Sequence, residues 1–358
     1  MRRALIPVWL AAPSRFASIS KAGACGVVAA LALLLAVAVT AAIAASFNPV
    51  DTAFYATIVE GVRHGGNYYA VTADALRAGN YPLAPFTAFE LPTLAVIEAA
   101  LPHVTVMAML YLLTAAVAVA WYGRLQPALK TRAAQVAVAL LLFASLVLRP
   151  SFVAVPELWA GLMVALSLAV RRRDRHLEAT ALGLAAAVIC ETAALYPIVM
   201  LAFALAEHRR REALGWAAVL IVVAVVLAVH AHAVAQVLRP LDDLLFDWAG
   251  GLGIGTVLSA AASVTALVAL PLWLAAPIIG LALFGWATWR DPIATRVLAT
   301  IVLTVVLIVV FGREDTSHWA LLVTPVLLTG LVFVPDGLRD LVQAALDSRR
   351  ITVTRIIR

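Results

Sequence analysis

The sequence predicts an all-α fold, a polytopic bundle of about ten transmembrane helices, and three observations carry that expectation. First, 64% of its 358 residues are hydrophobic and only 13% are charged, where a soluble domain has about 25% charged residues; the mean hydropathy is +1.00. Second, basic clusters recur along the chain, and most of the stretches between them are apolar over roughly the 20 residues that cross a bilayer. Third, the charges sort by side. The segments expected on one face hold 21 basic and 8 acidic residues, and those on the other hold 5 and 12. One face is therefore +13 and the other −7, the positive-inside pattern, which places both termini in the cytoplasm. A soluble globular protein, a disordered chain and a disulfide-stapled module are excluded. Cys25 and Cys190 both lie in apolar stretches and indicate neither a disulfide framework nor a metal site.

The elements follow in order. Residues 1–22 form a cytoplasmic segment with Arg2, Arg3, Arg15 and Lys21, ahead of a first span over about 22–46. Ala42-Ile43-Ala44 has the look of a signal cleavage site, but a signal h-region is only about 7–15 residues long, so an uncleaved helix is expected. The outer loop 47–103 is the longest and the most polar and aromatic. In it Asn48-Pro49-Val50-Asp51 reads as a helix start, with Asn48 as cap, Pro49 at the first helical position and Asp51 at the third. That helix runs to His64 and stops at Gly65-Gly66; a second runs from Asn67 to Gly79, with Asp74 and Arg77 placed for a local ion pair. An extended stretch, Tyr81 to Phe86, leads to Glu90-Leu91-Pro92-Thr93. Glu98 falls in a surface or re-entrant helix that Pro102-His103 ends. The two short helices roof the bundle.

A second span covers about 104–121 and is followed by Arg124, Lys130 and Arg132. Spans over 134–148 and 152–170 form a hairpin with Arg149, Pro150 and Glu157 at its outer turn. Between Arg171–Arg175 and Arg209–Arg211, residues 177–206 must cross an even number of times, so two short helices meet near Cys190-Glu191-Thr192. A span over 213–237, an outer loop 238–255 and the long apolar stretch 256–289 come next. That stretch exceeds one simple crossing and is expected to hold an outer interfacial segment and then one span. Spans 297–311 and 320–334 flank the outer loop Gly312–Trp319. The transmembrane domain covers 23–334, and 335–358 is a basic cytoplasmic tail. No internal repeat is present, which weighs against a transporter built from duplicated halves.

The features that bear on chemistry are an acid just past the first span and two surface helices rich in Tyr and Gly. They read Phe47-Asn48-Pro49-Val50-Asp51-Thr52-Ala53-Phe54-Tyr55 and Gly66-Asn67-Tyr68-Tyr69, with Glu191-Thr192-Ala193-Ala194-Leu195 at a later outer turn. In this arrangement the chain resembles the GT-C superfamily of integral membrane glycosyltransferases, mannosyltransferase-like members that use polyprenyl-phosphate donors. The resemblance covers the topology of most of the chain. It implies a GT-C-like fold in a bacterial inner membrane, a polyprenyl-phosphate sugar as donor and a lipid or glycan as acceptor. It also implies that Asp51 is the general base. Many members carry two adjacent acids there, where this chain has Asp51-Thr52, so no cofactor is expected and a divalent metal is not indicated. The chain lacks the soluble C-terminal domain of larger members, which leaves acceptor recognition to the membrane part.

Such a transfer needs a carboxylate to take the acceptor's proton and fixed donors for the leaving phosphate. Only Arg63, Arg77, Arg149, Arg239 and Arg313 lie on the outer side, and Arg313 with His318, in the densest polar loop, is the favoured phosphate pair. Tyr55, Tyr68, Tyr69 and Trp319 are candidates to stack on a sugar, and Glu191 to line the cleft. Each has a plainer reading beside it. An acid in the first turn favours the helix dipole without further purpose, and Glu191 also suits a simple turn. Asp242, Asp243 and Asp247 either bind a cation or acceptor or belong to a solvated loop. His230 and His232, two apart on a helix, face different ways and make a poor metal pair. Gly251, Gly253 and Gly255 follow no strand, so a nucleotide fingerprint is not supported. The inner arginines are topology signals that also meet anionic membrane lipids; no nucleic-acid partner is expected. The rival classes are a transporter or lipid flippase and a non-catalytic envelope-assembly subunit. Spans nearly free of charge, with polar residues gathered at one face, favour an interfacial enzyme.

Overall fold

The computed structural model describes residues 7–45, 51–145, 150–240, 242, 253–311 and 314–346, with backbone alone at 314–317. Among these residues the fold is all-helical and no strand occurs. The helices are α1 (Lys21–Ala44), α2 (Thr52–Arg63), α3 (Tyr68–Ala78), α4 (Thr93–Ala100), α5 (His103–Leu125), α6 (Arg132–Ser145), α7 (Pro156–Val170) and α8 (Leu177–Ile189). They continue with α9 (Leu195–Ala206), α10 (Arg210–Ala235), α11 (Ile254–Ser263), α12 (Leu272–Thr288), α13 (Pro292–Phe311), α14 (Thr324–Leu327) and α15 (Val334–Leu346). Of these, α1, α5, α10 and α13 are long and apolar enough to cross a bilayer. Their outer faces confirm that character. Leu33, Leu112, Val119 and Ile221 are all exposed, a surface that water does not favour and lipid does.

Close packing inside depends on small residues, as in helix pairs that lack a hydrophobic drive to associate. α1 packs on α11, α12 and α15; a Cβ added to Gly255 would lie 2.4 Å from the Ala41 carbonyl oxygen. The region expected as one interfacial piece and one span, 256–289, is α11, a short 3-10 turn and α12. The span expected over 320–334 is not a regular α-helix. It runs as a 3-10 segment (Glu314–Leu322), α14 and a second 3-10 segment (Leu328–Phe333). Backbones meet here: a Cβ on Gly285 would run into the Gly330 carbonyl oxygen, so α12 and this segment touch without side chains between them. The carbonyls displaced from α-helical bonding find other donors. The Trp286 indole and the Thr329 hydroxyl both donate to the Val326 oxygen, at 3.1 and 2.6 Å.

Several of the basic segments lie together at one end of the bundle. At the basic end, residues 9–11 pair with 128–130, joined by the Lys130 N–H to Trp9 carbonyl bond of 2.7 Å. Arg124 approaches Asp291 at 3.6 Å, and Arg296 pairs with Glu207 at 2.6 Å. Arg171 donates twice to Glu212, at 2.6 and 2.9 Å, and Arg209 adds a third contact. Residues 334–346 are not part of a free tail. α15 is amphipathic and packs on α1 and α12, and its Asp336 accepts the backbone N–H groups of Val8, Trp9 and Leu10 at 2.6–2.8 Å. At the opposite, loop end sit α2, α3, α4, the α8–α9 turn and the start of the 314–322 segment.

Candidate active site at the loop end

The loop-end helices form for local reasons that also aim their side chains. Residues 48–50 lie outside the described residues, and α2 begins at Thr52. Asp51 is its N-cap rather than its third residue: the carboxylate accepts the Phe54 N–H at 3.1 Å, satisfying one orphan donor of the first turn. Its other oxygen accepts the Tyr81 hydroxyl at 3.3 Å, and the residue is exposed. α2 ends at Gly65, whose φ of +89° only glycine adopts without strain. α3 starts on the Asn67 cap as expected. Apolar α2 and α3 residues, with Tyr55, Ile58, Tyr68 and Leu76, turn inward.

Beneath this roof the chain brings together residues from four separate segments. Glu90 comes from the extended stretch before α4, Glu157 from the first turn of α7, Cys190 and Glu191 from the turn between α8 and α9, and His318 from the 314–322 segment. Nε2 of His318 lies 3.4 Å from the Glu157 carboxylate, 3.8 Å from that of Glu90 and 3.3 Å from the Tyr55 hydroxyl. The Cys190 thiol sits 3.7 Å from the same Glu157 oxygen and 3.0 Å from the Thr192 hydroxyl. Glu157 is fully buried, whereas Glu90 and His318 keep 17% and 11% of their side chains exposed, so the cluster opens outward through those two. The Thr93 hydroxyl donates to the Val188 carbonyl at 2.7 Å, which holds the Glu90 stretch against the Glu191 turn. Gly161 holds the other pair: one turn along α7 from Glu157, it lets the backbone at Leu321 approach directly.

Burial pushes the Tyr55 and Tyr68 phenols well above their usual values, and the neighbouring glutamates add to the shift. Both therefore act as neutral hydrogen-bond donors. Tyr68 uses its hydroxyl on the Glu90 carbonyl at 2.6 Å. Tyr69 is at the rim, its hydroxyl 3.2 Å from Nδ1 of His230. The other ring nitrogen of His230 is 3.0 Å from the Phe89 carbonyl, so Nε2 carries the proton and Nδ1 accepts.

Of the site residues expected from sequence, Tyr55, Tyr68, Glu191 and His318 converge in this cluster. Asp51 stands outside it on the rim. Trp319 packs with Val257, Ala260 and Ile308. Arg313 lies outside the described residues. Glu90, Glu157 and Cys190 were not singled out as site residues; the available signal was that Glu157 is the sole acid of an apolar run. Asp242 is not a solvated loop residue: Arg77 donates to both its oxygens at 2.8 Å and holds its carboxyl down to about 2. Asp243 and Asp247 lie outside the described residues. The expected Asp74–Arg77 pair forms at 2.9 Å.

Chemically, a carboxylate–imidazole pair in a partly dry cleft can move a proton, and the Glu90, Glu157 and His318 donor atoms, all within 4.8 Å of one another, can hold a cation. Comparison with protein-family models, with curated proteins and with solved structures gives no match.

Proposed function

We propose that the protein is a membrane-embedded glycosyltransferase that moves a sugar from a polyprenyl-phosphate donor to a lipid or glycan acceptor at the loop end of the bundle. One observation carries this reading: the polar cluster of Glu90, Glu157 and His318, roofed by Tyr55 and Tyr68, sits where apolar helices end. A substrate with a lipid tail and a polar head reaches such a place from the bilayer. An apolar cavity of about 140 Å³ supports it, lined by Leu34, Val37, Ile254, Val257, Ile308 and Ala320. Ala320 is two residues beyond His318, so a tail held there brings its phosphate toward the cluster.

In this reading the acceptor hydroxyl attacks the anomeric carbon, the bond from that carbon to the phosphate oxygen breaks, and polyprenyl phosphate leaves. Asp51, exposed at the rim and oriented by Phe54 and Tyr81, takes the hydroxyl proton. His318 donates to the phosphate as its charge develops, together with Arg313. Tyr69 faces the incoming sugar. In this reading the cell context is a bacterial inner membrane with the basic end in the cytoplasm, which the charge asymmetry supports. A second reading has its own observation: the Glu90 and Glu157 carboxylates against one histidine, with Glu191 beside Glu90, also suit a proton-coupled transporter.

The test compares wild type with Asp51→Asn in nanodiscs, using radiolabelled polyprenyl-phosphate sugars and a membrane-lipid extract as acceptor. The reading predicts transfer by wild type, and donor binding without turnover by the variant. Absence of both binding and transfer in wild type overturns it and leaves the transporter reading ahead.

A further inference from the structure

The cluster around His318 holds more carboxylate than cation. Glu90 and Glu157 converge on a single imidazole, and Glu191 stands beside Glu90. The described arginines of this end are committed elsewhere: Arg63 to Glu60, Arg77 to Asp242 and Arg239 to Asp74. Glu157 is fully buried, yet its Oε2 has no hydrogen-bond partner, and the same holds for Oε2 of Glu90 and of Glu191. Buried carboxylates left this way carry a large desolvation cost, which a bound cation offsets.

The spacing fits a metal ion. Donors bound to one ion at about 2.1 Å stand about 3.0–3.4 Å apart in octahedral and tetrahedral arrangements. Here the imidazole nitrogen is 3.4 and 3.8 Å from its two carboxylate neighbours, a few tenths of an ångström from closure. We propose that Glu90, Glu157 and His318 form a divalent-cation site. One imidazole with two carboxylates is a donor set for Zn²⁺ or Mn²⁺ rather than for a soft metal. Three protein ligands leave coordination open, as in sites that act on a bound molecule rather than staple a fold. The Tyr55 hydroxyl, 3.3 Å from Nε2, stands beside that open side, and Glu191 with Cys190 borders it across Glu90. This inference does not rest on the transferase reading, since it concerns binding alone.

The test strips the purified full chain in nanodiscs with a chelator, then titrates it with Mn²⁺ alone, followed by electron paramagnetic resonance, and separately with Zn²⁺. One ion per chain is expected. Glu157→Gln and His318→Gln should each weaken binding by more than about tenfold, since loss of a mere outer-shell partner already costs about 10–100-fold. Glu98→Gln, a buried acid outside the cluster, should leave binding unchanged. In chelator each variant should melt no lower than wild type; if Glu157→Gln does not fold, Glu90→Gln and His318→Gln carry the comparison. A wild-type chain that binds neither ion overturns the proposal, as does binding that survives the Glu157 and His318 changes. Stoichiometric binding without sugar transfer would retain the site and reject the transferase reading.

Discussion

Gly161 and Leu321 meet with no side chain between them: a Cβ on Gly161 would lie 2.3 Å from the Leu321 carbonyl oxygen. Glu157 is one turn before Gly161 on the same face of α7, and His318 is three residues before Leu321. The glycine contact therefore sets the 3.4 Å approach of the two functional groups. Gly161→Ala should destabilise the fold by about 1–3 kcal/mol, the usual cost of overpacking, and should lower transfer and cation binding together. Melting in nanodiscs plus either binding assay checks this; a variant with wild-type values in both would show that another contact positions His318.

Glu98 gives a pH signature. Burial raises its carboxyl to about 8, against 4.5 ordinarily, with Arg63 opposing the shift. The folded chain keeps this proton longer than the unfolded chain does. The penalty is thus absent below about 4.5, grows between 4.5 and 8, and is full above 8. Glu98→Gln should melt like wild type at pH 4.5 and at a higher temperature than wild type at pH 9, a gain on the order of a few kcal/mol. Equal melting of the two proteins at pH 9 would contradict it.

Arg171 and Glu212 form a two-bond pair with side-chain exposures of 6% and 1%. Removing one partner of a buried pair leaves an uncompensated charge and costs about 3–5 kcal/mol. Arg209 stays on Glu212 in Arg171→Ala, so that variant should fall at the lower end, and Glu212→Ala, which strands two guanidinium groups, at the upper. Chemical denaturation of both variants would rank them; the reverse order would show that Arg209 contributes nothing.

Asp242 clamps α3 to the end of α10 through Arg77. Its carboxyl is held at about 2 against 3.8 ordinarily, so the clamp contributes fully above about 3.8 and is lost as pH falls through 2. Asp242→Asn should speed hydrogen exchange of the α3 amides at pH 7 while leaving those of α8 unchanged. Uniform exchange across both helices in wild type and variant would count against a local clamp.

Much of the helical layout was legible because apolar length and charge are written locally. The approximate extents of α1, α5 and α10, the surface helix behind Asn67, and the division of 256–289 into two pieces follow from runs, caps and prolines. The broken final span was not legible, nor was the meeting of Gly285 with Gly330, since no local pattern announces which two glycines meet. The site divides the same way. His318 stood out in a dense polar loop, and Tyr55 on an amphipathic face. Glu157 reads as an ordinary first-turn acid after Pro156, and Glu90 as a loop carboxylate, until folding sets them against the same imidazole. Asp51 was found as a loop-end acid, but its capping bond to Phe54 depends on where α2 begins.

The partners of α1 are α11, α12 and α15, and Asp336 fastens residues 8–10. α1 thus finds its main neighbours in elements made long after it. During synthesis it waits among lipids while α5 to α10 assemble beside it, and it is locked only when residue 336 has emerged. Closure of the bundle around α1 therefore waits for α15, and a ribosome that stops short of it leaves residues 8–10 without their Asp336 clamp.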